Sequence, residues 1–206
     1  MSPRFRPPVR VLAVTVVAAA LAVAAVVFVL RPSNAPADDA TAARSVAIGG
    51  PFSLTTQNGT PLTDADLKGR PFAIFFGFTH CPEVCPTTLW ELSEALKALG
   101  PDARDLAVLF VSLDPTRDTP EALKSYIASF DDRIIGLTGS EADVATLAKA
   151  YRVYWQKVPG EGDDYTLDHT AAVYLMGRTG GFSGLISYDE AADTRIAKLR
   201  ALAAKS

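Results

Sequence analysis

Phe72-Ala73-Ile74-Phe75-Phe76-Gly77-Phe78 runs straight into Thr79-His80-Cys81-Pro82-Glu83-Val84-Cys85-Pro86, and this junction decides how the chain folds. A near-continuous apolar run from Pro71 to Phe78 reads as a central strand covered on both faces. Behind the junction, Leu89, Leu92, Leu96 and Leu99 mark one helical face, and Gly100-Pro101 stops the helix. Pro86 suits the first helical position. The chain's two cysteines therefore lie between a buried strand and a helix entrance. Cys81 precedes a proline, which pushes it away from helical geometry. Cys85 sits at the entrance, where unpaired amides and the helix dipole favour a thiolate. Three residues between the sulfurs allow both to reach one soft metal ion. The same turn can close a disulfide if the Cα atoms come within about 4.4–6.8 Å. A paired, proline-flanked spacing argues against two inert cysteines packed as small hydrophobes.

Outward from the junction, the pattern alternates strands and helices. Phe52 to Thr56 reads as a strand entering a turn at Asn58-Gly59. A second buried strand spans Leu106 to Leu113 and ends at Asp114-Pro115. Thr119-Pro120-Glu121 opens a helix backed by Leu123, Ile127 and Phe130. Ile134 to Thr138 is a short strand, and Ser140 caps a helix that turns Val144, Leu147, Ala148 and Tyr151 inward. The polar, acidic segment Val158 to Tyr165 reads as a mobile loop. Thr170–Met176 and Phe182–Ser187 form a hairpin across Gly177–Gly181, and a helix from about Glu190 to Ala204 closes the domain. This order predicts an α/β protein with a mixed central sheet flanked by helices, the thioredoxin-like layout with an extra crossover.

A metal held by two thiolates needs a further ligand, and the chain offers two histidines, His80 and His169. His80 adjoins Cys81, and consecutive residues leaving a strand point to opposite faces. Its ring is expected in a structural or outer-shell role. His169 precedes the apolar strand expected after it, at the same end of the sheet as the thiols, and is the better candidate. Two thiolates and an imidazole suit three-coordinate Cu(I), whereas a structural zinc wants a fourth protein ligand. Cu(II) fits the same set with an added oxygen ligand. Asp114 and Asp168 are nearby carboxylates that could tune the site, although Asp114 before Pro115 is also an ordinary turn residue.

The N-terminus carries Arg4, Arg6 and Arg10 ahead of an uncharged run from Val11 to Leu30. Twenty helical residues span about 30 Å, the thickness of a bilayer's hydrocarbon core. A cleavable signal's apolar region is usually shorter, about 7–15 residues. Residues 1–10 are expected to stay cytoplasmic, 11–30 to form a single-pass transmembrane anchor, 31–44 a polar linker, and 45–206 the folded domain. Setting the three leader arginines aside from 20 basic and 23 acidic residues leaves −6, with no basic stripe for nucleic acid. In an oxidising compartment the thiol pair can form a disulfide, which must be reduced before metal binds.

The ordered segments Gly77–Pro86, Val111-Ser112-Leu113-Asp114-Pro115 with Arg117-Asp118-Thr119, Gly136-Leu137-Thr138-Gly139, Ala150-Tyr151-Arg152-Val153 and Tyr165–Thr170 together resemble the Sco/SenC family of copper-binding, thioredoxin-like proteins. The resemblance implies that Cys81, Cys85 and His169 carry copper. It implies a soluble domain facing the periplasm or intermembrane space, attached to the inner membrane by its N-terminal helix. It further implies a part in assembling the binuclear copper centre of cytochrome c oxidase, by delivering copper to the copper-bearing subunit, by reducing that subunit's cysteine pair, or both. Other periplasmic copper chaperones are the implied donors. The enzymatic alternative is a periplasmic thiol–disulfide oxidoreductase. The three-residue spacer and the absence of proline in Leu167-Asp168-His169-Thr170 both depart from thioredoxin-type enzymes. A peroxiredoxin fits less well again, since neither cysteine has the Pro-x-x-x-Thr/Ser-x-x-Cys pattern.

Overall fold

A computed structural model describes residues 48–162 and 164–204 of the 206-residue chain. The expected cytoplasmic segment, anchor and linker, residues 1–44, lie outside the described residues. Among those described, no helix is long and apolar enough to cross a membrane.

Strand β3 (Phe72–Gly77) is buried at every position and lies between β4 (Ala107–Ser112), parallel to it, and β8 (Val173–Met176), antiparallel. Both faces are covered, which is why neither β3 nor β4 shows the alternation of a half-wet strand. β5 (Ile134–Thr138) extends the parallel set on the far side of β4. Two hairpins close the edges. β1 (Ser53–Thr56) with β2 (Pro61–Thr63) flanks β5, and β9 (Phe182–Ile186) pairs with β8. The resulting seven-stranded order is β2-β1-β5-β4-β3-β8-β9. It is the mixed, thioredoxin-like sheet expected from the order of elements.

Helix α1 (Val84–Leu99) buries Cys85, Leu89, Leu92, Leu96 and Leu99. It starts at Val84, two residues ahead of Pro86, so Pro86 is third in the helix rather than first. The position tolerates proline because amides of the first turn have no intrahelical partner. The first helical bond is Thr87 N–H to Glu83 C=O at 3.1 Å. Helix α2 (Pro120–Ile127) is capped by Thr119, whose hydroxyl accepts from the Ala122 amide. Helix α3 (Glu141–Ala150) is capped likewise by Ser140 from the Asp143 amide. Both caps follow the sequence reading. Helix α4 (Ala192–Ala204) packs against α1 and is joined to it by the Arg195–Glu91 ion pair at 2.7 Å.

One segment differs from expectation. The expected loop, Val158 to Tyr165, is the connection of a second, two-stranded sheet, β6 (Trp155–Pro159) against β7 (Tyr165–His169), whose strands take in Val158, Pro159 and Tyr165 at its ends. Most of its side chains are exposed or partly exposed, with Leu167 buried, so the hydrophobic signal of a strand is weak in the sequence. His169 is thus the last residue of β7, and the apolar strand after it begins at Val173 rather than Thr170.

Candidate metal centre

The two thiols stand where β3 hands over to α1. The chain leaves the sheet at Gly77, and the Cys81 amide closes a turn onto the Phe78 carbonyl at 3.3 Å. Cys85, in the first turn of α1, is completely buried and points back at the strand. Gly77 makes this possible. A Cβ there would lie 2.6 Å from Cys85 Sγ and 2.8 Å from Phe110, so any larger residue evicts the thiol. Cys81 is partly exposed, and both thiols are free.

β7 brings His169 onto this pair. Its Nε2 lies 3.4 Å from Cys85 Sγ. Its Nδ1 is 3.1 Å from the Thr170 carbonyl, which can only accept, so the proton sits on Nδ1 and the Nε2 lone pair faces the sulfurs. The ring is wedged against Phe75 and Phe78, with centroids at 6.1 and 5.9 Å. The donor atoms of Cys81, Cys85 and His169 all lie within 4.8 Å of one another. Two soft sulfurs and one unprotonated imidazole nitrogen match the preferences of Cu(I).

The thiols are electrostatically unequal. The Cys85 amide donates to Cys81 Sγ at 3.4 Å from the helix N-terminus. The Cys85 thiol and that amide pull Cys81 down to about 4, against the cost of its burial. Cys85 is pushed the other way, first by its bond to Cys81, then by burial and by the neighbouring negative charge. Helix-entrance stabilisation therefore reaches the cysteine outside the helix, while the cysteine inside it stays protonated.

The remaining candidates fall elsewhere. His80 is 56% exposed and faces away from the cluster, with Nδ1 3.1 Å from Thr79 Oγ1 and 3.8 Å from Asp118. Asp168 is exposed, opposite Gln156 across the hairpin. Asp114 is buried and engages Arg117 and the Tyr165 hydroxyl rather than a thiol. Gly77, Asp118, Arg117 and Tyr165 were not singled out from the residues alone. Buried acids in a turn after an apolar strand were the available signal for Asp118.

The SCO1/SenC family model matches residues 40–204, and the chain belongs to that family. It is 45% identical over 138 residues to the mitochondrial SCO1 homolog of Mus musculus, covering 66% of this chain and 49% of that protein. The chain thus matches about half the length of this curated relative. The copper-bound structure of Bradyrhizobium japonicum ScoI is 50% identical, with a TM-score of 0.72 over 76% of this chain and 99% of that one. A more distant structure, BsSco, is described as a member of the Sco family of cytochrome c oxidase assembly proteins with a disulfide switch. It is 25% identical, with a TM-score of 0.61 over 78% of this chain and 95% of that one.

Proposed function

We propose that this SCO1/SenC chain is a membrane-tethered copper carrier that serves assembly of the binuclear copper site of cytochrome c oxidase. Cys81, Cys85 and His169 hold the copper, which is cargo rather than a resident catalyst. The observation that carries this reading is the convergence of these three soft donors within 4.8 Å at one end of the sheet. The partial exposure of Cys81 suits ligand exchange, in which an incoming thiolate replaces one donor at a time. The apolar run 11–30, with its arginine-rich leader, supports an inner-membrane anchor and a periplasmic domain. The copper-bearing oxidase subunit is the acceptor, and a periplasmic copper chaperone is the donor.

The inequality of the thiols favours a second reading beside the first, reduction of the acceptor's cysteine pair. The Cys81 thiolate attacks one sulfur of a partner disulfide, forming a mixed disulfide and releasing the other sulfur as a thiolate. Cys85, surrendering its proton, then attacks Cys81 Sγ and frees the second partner thiol. Two electrons pass to the partner, and the chain is left as a Cys81–Cys85 disulfide for an external dithiol to reduce.

The test is anaerobic Cu(I) loading of the full chain in detergent, with copper counting and X-ray absorption. One copper with two sulfur neighbours and one nitrogen is expected, the nitrogen vanishing in His169→Ala. Undiminished copper affinity in His169→Ala would overturn the ligand assignment. Failure of the reduced wild-type chain to bind copper stably leaves the thiol–disulfide reductase as the better account.

A further inference from the structure

We propose that the turn Asp114-Pro115-Thr116-Arg117-Asp118, which supplies no ligand, is the positioning brace that sets the spacing between the cysteine pair and His169. This rests on those three residues being the copper ligands. The turn follows β4 and is closed on itself, the Arg117 and Asp118 amides both donating to the Asp114 carbonyl, at 3.1 and 2.9 Å. Its two ends reach opposite halves of the site.

At one end, the Asp118 carboxylate is fully buried and both of its oxygens are engaged. Oδ1 accepts from the Thr79 hydroxyl at 2.6 Å, and Oδ2 accepts from the Thr79 amide at 3.0 Å and the Ser112 hydroxyl at 2.6 Å. Thr79, two residues before Cys81, is therefore gripped through backbone and side chain at once. A buried carboxylate is tolerated only when so satisfied, and each of these charge-assisted bonds is among the stronger kinds. The grip holds the loop that carries Cys81 to the end of β4.

At the other end, Arg117 and Asp114 hold the hairpin. Asp114 pairs with the Arg117 guanidinium and accepts from the Tyr165 hydroxyl at 2.8 Å. Arg117 Nη1 donates to the Tyr165 carbonyl at 3.0 Å and to Asp164 at 3.1 Å, and the guanidinium lies 3.7 Å from the centre of the Tyr165 ring. The hairpin is not part of the seven-stranded ladder. Bonds such as these therefore fix its angle, and with it the reach of His169 at the far end of β7. The brace acts through Thr79 and Tyr165, and bonds to neither sulfur nor the His169 ring.

The two ends predict different defects. In the full chain in detergent, Cu(I) affinity is measured by competition with bathocuproine disulfonate, the metal's neighbours by X-ray absorption, and the Cys81–Cys85 midpoint against glutathione. Arg117→Ala should weaken copper binding about tenfold, the low end for residues behind a ligand. It should deplete the nitrogen neighbour and leave the cysteine midpoint at its wild-type value. Asp118→Asn should weaken copper binding similarly while keeping the nitrogen, and it should shift the midpoint. Thr79→Ser should restore what Thr79→Val loses. Where Arg117→Ala fails to fold by circular dichroism, Arg117→Lys, which keeps the charge but loses the guanidinium fork, decides in its place. Wild-type affinity and neighbours in the folded Arg117 variant and in Asp118→Asn overturn the brace. Wild-type affinity in His169→Ala instead overturns the ligand assignment, so the two failures are distinguishable.

Discussion

The cysteine turn and the histidine hairpin meet in one cluster but are held by different physics. The turn grows out of β3, which is hydrogen-bonded on both sides within the central sheet and packed against helix α1. Cys85 is part of that core, with no exposed surface. The hairpin is a two-stranded appendage in which Leu167 is buried and most other positions face solvent. It is secured to the body by aromatic packing of His169 and by polar bonds around Arg117 and Tyr165. Burial of apolar surface is worth about 25 cal/mol per Å² and is cooperative across the core, whereas one hydrogen bond nets only about 1 kcal/mol. The thiol pair is thus fixed in the core, whereas His169 rides on the element that yields first. Under the proposed function, that arrangement suits a carrier, which must grip its cargo and then let it go.

The broadest test of the contrast is native-state hydrogen exchange. Amides of β3 and β4 should open only with global unfolding. Those of β6 and β7 should exchange at least about a hundredfold faster through local opening. Equal protection in the two regions breaks the comparison.

The second test concerns Cys81 in the reduced, metal-free protein. With its pKa down to about 4, Cys81 is already a thiolate well below neutrality. Its alkylation rate should stay nearly flat from about pH 8 to pH 6, where an ordinary thiol of pKa about 8.5 slows about fiftyfold or more. Reactivity should fall only as the pH drops through about 4, and Cys85 should remain protected throughout. A titration of Cys81 near pH 8 by mass-spectrometric labelling contradicts the arrangement.

Glycine substitution separates the regions sterically. Gly77→Ala places a methyl against Cys85 and Phe110 and should cost about 1–3 kcal/mol in denaturant unfolding, with displacement of the thiol. Gly162, in the hairpin's turn at φ +64, has open space around it, so Gly162→Ala should cost only about 1 kcal/mol of local backbone strain. The smallest effect is expected from Tyr165→Phe, which removes one hydroxyl bond to Asp114. It should cost about 1 kcal/mol and speed exchange in the hairpin while leaving β3 unchanged.

The legibility of the chain follows the same division. Buried strands wrote themselves as unbroken apolar runs, and helices α2 and α3 announced their starts through Thr119-Pro120 and Ser140. The hairpin was hidden because its strands bury too little to alternate, so only its connecting loop, between Val158 and Tyr165, is legible and the strands on either side are not. Asp114 read as a turn former, and it is one, but its carboxylate's attachment to Tyr165, 51 residues onward, has no local trace.

By itself the sequence determined the strand–cysteine turn–helix unit, the α/β layering around it, the membership of Cys81 and Cys85 in one turn, and the placing of His169 rather than His80 beside them. These follow from local periodicity, proline and glycine placement, and the two-residue period of a strand. Only the tertiary structure decided which cysteine carries the charge, why residue 77 must be glycine, and how the 114–118 turn reaches both halves of the cluster. Those are properties of atoms brought together by folding from distant parts of the chain, and no local pattern encodes the distances between them.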